Sequence, residues 1–444
     1  MKKFTFPHPM VIMLGFVLLA MLLTYLIPAG KYDRQLDDAT GREVVVQGSF
    51  RYIPNQPVGI AQTFLSVPVG IIAGAEVVVL ILIIGGAFYV VDKTGAFQAG
   101  LEYLVFHFAN GKAFLMALVG LLFAVAGALN GLQEEIIAMV PVLMILTQKV
   151  GFTKISGVAI SLGCAIIGGA FGPSNPFSVL LAQQLAEVPV FSGGLFRLSG
   201  MGVALLVWIG YVLKTGKDPA FVPIQGQMKR PSMEIRHIIN LLLVGMTFII
   251  MIYGLSNWDW DYNEMSAIFF VMGLLVGIIG KLGLNGTSKA YAEGFSEMIF
   301  AGIIVGLARS IYLVLQDGLV IDTIIYGLFT PLEGLPLGVA AIGMFLAQAI
   351  LHIPVPSTSG QAVLTMPLLS PLADLIGMGR QVVVLAYQYG AGIMDLVTPS
   401  NGGLMAILAA AGISYKEWIT YAWKPILAIA LIAAGSVLLG IVLF

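Results

Sequence analysis

Charge is the scarcest commodity in this sequence. Asp, Glu, Lys and Arg make up 10% of its 444 residues, against roughly 25% in soluble domains. So little charge cannot cover a water-facing surface of this size, and the lipid bilayer has to be the main solvent. The net charge of −1 leaves no basic surface for nucleic acid. A single cysteine, Cys164, stands in an apolar run, which excludes a disulfide framework and a Cys-rich metal site. The four histidines (His8, His107, His237, His352) show no metal-ligand spacing. No His or Cys has the partners that a nucleophile or a metal hydrolase needs, so an intramembrane enzyme finds no support and no resident cofactor is expected.

Apolar sequence fills the space: 59% of the chain is hydrophobic. Runs long enough to cross a bilayer, ~20 residues, lie at 8–28, 70–92, 155–187, 195–213, 237–255, 265–282, 296–316, 377–412 and 418–443. They predict an all-α polytopic membrane protein. Met1-Lys2-Lys3 ahead of the first run mimics a signal peptide, but the run is long enough to span and no small-residue cleavage site follows. It reads as a retained helix. Two further stretches, 113–149 and 337–376, carry polar residues in the middle. Their arms, about 16 residues each, are shorter than a span requires, which suits re-entrant helical hairpins. Irregular backbone at membrane depth survives only where protein buries it or a cavity needs it. Basic Lys214, Lys217, Lys229, Arg230 and Arg236 mark a cytoplasmic loop. With Met1-Lys2-Lys3 they place the N-terminus in the cytoplasm of a bacterial cell, in the inner membrane. Counting crossings then puts the 113–149 hairpin on the inner side and the 337–376 hairpin on the outer side.

One offset repeats. Pro141, Gly151, Lys154 and Pro173-Ser174-Asn175 recur 226 residues later as Pro367, Gly377, Arg380 and Pro399-Ser400-Asn401. The expected organisation is therefore a first helix and extracytoplasmic loop (1–69), repeat one (70–213, hairpin 113–149, broken helix 155–187), a linking segment (214–295) and repeat two (296–444, hairpin 337–376, broken helix 377–412). Opposite hairpin sides make the repeats inverted, a common build of secondary transporters with a site at the repeat interface.

Four polar clusters carry the chemistry. The hairpin tips are Asn130-Gly131-Leu132-Gln133-Glu134-Glu135 and Pro354 to Gln361, the latter with Ser357, Thr358 and Ser359. The breaks are Gly172-Pro173-Ser174-Asn175-Pro176 and Thr398-Pro399-Ser400-Asn401-Gly402-Gly403. Proline and glycine free backbone groups there; freed N–H groups favour anions and freed carbonyls favour cations. Ser174, Asn175, Ser400 and Asn401 supply neutral oxygens suited to Na⁺ or to a substrate carboxylate. Plain proline kinks satisfied by those side chains are the alternative. Of Glu134 and Glu135, adjacent and so about 100° apart on a helix, one is expected to reach the cavity and the other to cap the arm. Intramembrane charges usually mark a substrate or ion path. Asp395 is a candidate for Na⁺, a proton, a substrate ammonium or a structural pairing. Arg309 is a candidate partner for Asp395, for a hairpin Glu or for a substrate carboxylate. Gln361, Tyr387, Gln388 and Tyr389 are candidate lining, and His352 reads as a satisfied interfacial histidine.

The Glu-Glu hairpin, the Pro-Ser-Asn breaks and the segments 175–183, 188–193 and 357–374 resemble the YfcC family. That family is similar to the C4-dicarboxylate anaerobic carriers and the arginine/ornithine antiporters of the ion transporter superfamily. The resemblance covers essentially the whole chain. It implies a divalent-anion symporter type of fold with eleven helices and two hairpins, a homodimer and an elevator-like motion. It places the site at Glu134, Glu135, Ser174, Asn175, Ser357, Ser359, Ser400 and Asn401. Asn130-Gly131 and Ser357-Thr358-Ser359 stand where dicarboxylate/sodium symporters carry Ser-Asn-Thr. The resulting expectation is a secondary carrier for a small amino acid or carboxylate, favouring exchange of a basic amino acid and coupled to Na⁺ or H⁺ if to an ion. A C4-dicarboxylate carrier is the first alternative, and an ion channel or structural membrane subunit the second.

Overall fold

A backbone in lipid must satisfy its own polar groups, and almost all of this chain does so as helix. The computed structural model describes residues 9–444 except 38–41, 108–110, 132, 134, 220–232, 259 and 333. Among these, seven helices are long and apolar enough to cross a membrane. The first helix, α1 (Pro9–Leu26), leads into the polar segment read above as a loop. It contains two small antiparallel sheets, β1 (Gly30–Lys31) with β4 (Arg51–Tyr52), and β2 (Arg34–Asp37) with β3 (Arg42–Val45). The run 70–92 belongs to two helices, α2 (Ile60–Ala73) and α3 (Ala75–Lys93), which part at Gly74. The run 296–316 is the apolar part of a longer helix, α13 (Gly283–Asp317). Hydropathy marks only what lipid can cover, whereas the polar first turns of α13 are just as helical. At 35 residues it is about 52 Å long, and it packs against α1, α2, α3 and α12 (Tyr262–Ile279) as the central strut.

The two candidate hairpins are each a pair of helices. In the first, α5 (Lys112–Asn130) ends on Gly131, whose left-handed φ of 66° stops the helix, and α6 (Glu135–Val150) returns. In the second, α15 (Leu337–Leu351) and α16 (Thr358–Ile376) are joined through 352–357. After each comes a broken helix. Lys154 opens α7 (Lys154–Val158), which continues through a π-turn (Ala159–Gly163) into α8 (Cys164–Phe171). Arg380 opens α17 (Arg380–Met394). Asn175 and Asn401 then restart the chain alike: the side-chain oxygen of each caps a following N–H, Phe177 N at 2.9 Å and Leu404 N at 3.0 Å. Beyond them lie α9 (Leu181–Leu185) and α18 (Gly402–Ala411).

One helix relates the two hairpin bases. At the C-terminal end of α10 (Gly194–Thr215), the Gly216 carbonyl accepts from Thr153 N (2.9 Å) and Ser156 Oγ (2.8 Å), just after the first hairpin. At its N-terminal end, Arg197 donates to Gln381 Oε1 (3.0 Å), just after the second. The 22 residues of α10 rise about 33 Å, close to the ~30 Å hydrocarbon core of a bilayer. The polar sheets sit at the second hairpin's end: β3 packs against α16, and Arg34 pairs with Asp322 of α14 (Ile321–Phe329) at 2.8 Å.

Candidate functional site

Side chains from all four polar clusters meet around one cavity of about 560 Å³, within the usual ~300–1,000 Å³ of small-molecule sites. The first hairpin contributes Gly131 and Gln133, the first break Asn175 and Phe177, the second hairpin 355–360, and the second break Ser400 to Gly403. Direct contacts hold them together. A Cβ at Gly131 would lie 3.1 Å from Asn175 Nδ2, and one at Gly403 3.2 Å from Gln133 Cγ, so the first tip touches both breaks. Tyr387 OH donates to the Thr358 carbonyl (2.6 Å), fixing the second tip to α17.

Several candidates are pinned by the backbone they interrupt. Ser174 Oγ donates to Ala128 O (2.8 Å) and Ser400 Oγ to Ile353 O (2.5 Å). The amide oxygens of Asn175 and Asn401 each accept one N–H, so all four side chains satisfy backbone groups at the breaks, as the proline-kink alternative has it, while their oxygens keep lone pairs. Ser174 and Gln361 do not line the cavity, whereas Ser357, Thr358, Ser359, Tyr387, Gln388, Asp395, Ser400 and Asn401 do. Ser357 Oγ caps Gly360 N at 3.3 Å. Tyr389 is buried against Phe171, ring centroids 4.4 Å apart, and is not part of the lining. Glu134 lies outside the described residues, as do the side chains of Asn130 and Glu135.

For Arg309 and Asp395 the sequence left several readings open. Arg309 lines the cavity, yet among the described residues it forms no ion pair; its contact is the Tyr312 ring, 5.9 Å to the centroid. Asp395 is already engaged, accepting from Asn401 Nδ2 (2.5 Å) and meeting His352 Nε2 at 2.9 Å. His352 is hydrogen-bonded at both ring nitrogens and wholly buried, its ring filling the gap between Asp395 and Gln361.

Other lining residues were missed. Glu76 of α3, Asp261 and Tyr262 at the start of α12, and Tyr312 of α13 all face the cavity. Glu76 carried a readable signal, a lone carboxylate in an apolar run. Arg197 carried one too. It is fully buried and donates to Gln388 Oε1 (2.9 Å), Gln381 Oε1 and Ser192 O (2.9 Å). Gln388 in turn donates to Gly172 O (2.7 Å). A guanidinium thus reaches the first break through one amide. Among the described residues no group of three His, Cys, Asp or Glu could hold a metal.

A multi-pass helical bundle around a polar, small-molecule-sized cavity is the build of a membrane transporter rather than an enzyme. The chain belongs to the C4-dicarboxylate anaerobic carrier (DcuC) family, whose model matches residues 6–442. It is 29% identical to YfcC of Escherichia coli (strain K12), a protein provisionally named a basic amino acid antiporter, over 99% of this chain and 97% of that one. An uncharacterised protein of Haemophilus influenzae is equally similar, at 29% identity and the same coverage. Among solved structures, the YdaH transporter of Alcanivorax borkumensis is a distant likeness: 14% identity, 98% of each chain covered, TM-score 0.44.

Proposed function

We propose that the protein is a secondary carrier exchanging small basic amino acids, such as arginine and ornithine, across the bacterial inner membrane. The observation that carries this is the charge of the cavity wall. Glu76, Asp261 and Asp395 line it against the single guanidinium of Arg309, among the described residues. Such a wall favours a guest with a net positive charge. Arg309, without an ion pair among the described residues, takes the guest's α-carboxylate, and the carboxylates take its cationic groups. Glu134 and Glu135 belong to the proposed site by their place in the sequence alone. A bare dicarboxylate would meet the like charges of Glu76 and Asp261.

The carrier mechanism rests on two inverted repeats with re-entrant hairpins, 70–213 and 296–444, joined by 214–295. Three features support it: Gly151 and Gly377 share a left-handed φ (85° and 71°), Asn175 and Asn401 cap alike, and the hairpin bases sit at opposite ends of α10. The sheets between α1 and α2 then lie outside and the N-terminus inside. The expectation that subunits pair as homodimers goes with this reading.

Counterflow in proteoliposomes tests the substrate. Preloaded ornithine drives accumulation of labelled arginine, and Arg309→Gln raises KM at least tenfold. Uptake of succinate without arginine supports the dicarboxylate alternative and overturns the amino-acid reading.

A further inference from the structure

His352 stands at the end of a hydrogen-bond chain that fixes its tautomer. Gln361 Nε2 donates to the backbone carbonyl of Gln348 (2.8 Å). A carbonyl only accepts, so the amide of Gln361 has one orientation. Its Oε1 therefore faces His352 Nδ1, at 2.8 Å, and Nδ1 carries a hydrogen. Gln348 Nε2 donates onward to Thr365 Oγ1 (2.9 Å), whose hydroxyl donates to Gln361 O (2.8 Å). The chain closes on itself and leaves no slack.

Nε2 then faces Asp395 Oδ1 at 2.9 Å. Whether the hydrogen belongs to an imidazolium or to a carboxylic acid, one proton lies between these atoms; without it, two lone pairs would face each other beside a ring with no exposure. Asn401 cannot relieve that, since its own orientation is set by Leu404 N and its amide already donates to the same Oδ1. The pair is also placed for a cation. His352 and Asp395 are the C-caps of α15 and α17, where helix dipoles favour positive charge and disfavour a bare carboxylate. Asp395 is 14% exposed and opens on the cavity.

We propose that His352 and Asp395 form a proton-binding site whose occupancy alternates with that of the cavity by a cationic guest. The proposal rests on the basic-substrate reading for the guest, but not for the proton. With the proton bound the pair is neutral. When an ammonium or guanidinium approaches Asp395, the proton leaves through the cavity, His352 stays neutral with hydrogen on Nδ1, and the carboxylate pairs with the guest. One positive charge replaces another. The other charged or titratable groups lining the cavity onto which Asp395 opens are Arg309 and Tyr312 from α13, Glu76 from α3, Tyr262 from α12 with Asp261 just before it, and Tyr387 from α17. From α16 only Ser357, Thr358, Ser359, Gln361 and Thr365 contribute, all uncharged. From α19 (Tyr415–Leu443), Tyr415 OH and Trp418 Nε1 donate to the carbonyls of Val397 and Leu396.

Nitrogen-15 NMR of the histidine-labelled full chain in nanodiscs tests this, because there are only four histidines. The His352 signals are assigned with His352→Gln and, without touching the pair, with a chain in which His8, His107 and His237 are Gln. The expected result is that Nδ1 stays protonated while Nε2 loses its proton between pH 5 and 10. In Asp395→Asn the midpoint should move by at least one pH unit, a tenfold change in proton affinity. L-Arginine added near the wild-type midpoint should shift Nε2 toward the deprotonated signal. A His352 whose Nε2 never changes over that range, or titrates identically in Asp395→Asn, overturns the proton site. Titration that arginine leaves unmoved supports the proton site and counts against the basic guest.

Discussion

Arg197 shows what a single buried cation does here. Its guanidinium spends its hydrogens on two amide oxygens and one carbonyl, with no carboxylate among its hydrogen-bond partners. Removing it leaves those acceptors dry, each costing roughly 1–3 kcal/mol. Arg197→Ala is expected to destabilise the protein by about 3 kcal/mol or more, read as thermal unfolding in detergent. Arg197→Lys should recover little, because an ammonium cannot span three fork-spaced acceptors. Sequence reading failed at this residue for a physical reason. Charge in an apolar helix is visible, but the amides that absorb it, Gln381 and Gln388, are about 190 positions away. The same holds for His352, whose partners Gln361 and Asp395 come together only through the join of α15 to α16 and the end of α17. Polar motifs with a local cause were legible: Asn175 and Asn401 cap the chain restarts two or three residues on, as breaks rich in Pro and Gly require.

At the scale of elements, close approach of helices aligns the first tip with the first break. A Cβ at Gly127 would come within 2.0 Å of Ala165 O, and one at Gly168 within 1.9 Å of Ala124 O. These are backbone atoms and cannot step aside. Small residues at such crossings let helix backbones touch. Gly127→Ala is expected to force α5 from α8, cost about 1–3 kcal/mol and lower exchange by more than tenfold, by separating Ala128 O from Ser174; melting and counterflow measure the two effects separately. The small sheets depend on a different contact. Asp322 accepts from Arg34 Nη2 and from Tyr32 N (2.9 Å). Asp322→Asn should speed trypsin cleavage within 30–52 without altering cleavage at 214–217. Acid should act in the same direction, modestly. Arg51, hydrogen-bonded to Asp33, holds that carboxyl below the ordinary carboxylate range. The contribution is complete at neutral pH and fades as pH falls through the lowered value; full exposure keeps it small. The breaks were legible because proline is a one-dimensional fact; arm length was not, since α5 and α16 run to 19 residues against the 16 expected and α5 is long and apolar enough to cross a membrane. The sheets were not, since short polar strands differ little from loop.

For the whole molecule, the cavity is the junction of segments that are far apart in sequence, and its accessibility should follow its occupancy. Cys164 is fully buried, so the unaltered protein should resist maleimide in membranes. Ser359→Cys should label readily, and saturating arginine should slow labelling several-fold. Equal labelling with and without substrate would remove Ser359 from the binding surface. The sequence identified a helical membrane carrier with four converging clusters, because lipid imposes patterns readable along a single line. It did not disclose Glu76, Asp261 or Tyr312 as lining. Which face of a helix turns inward depends on neighbours, and α3, α12 and α13 meet only in three dimensions.

The pairing of β3 with α16, and of Arg34 with Asp322, gives the second hairpin a polar handle. If that hairpin travels during the cycle, its small polar flap must travel with it or let go. An antibody fragment clamped across β2, β3 and α14 would therefore act as a brake, stalling turnover from outside the lipid without ever approaching the guest.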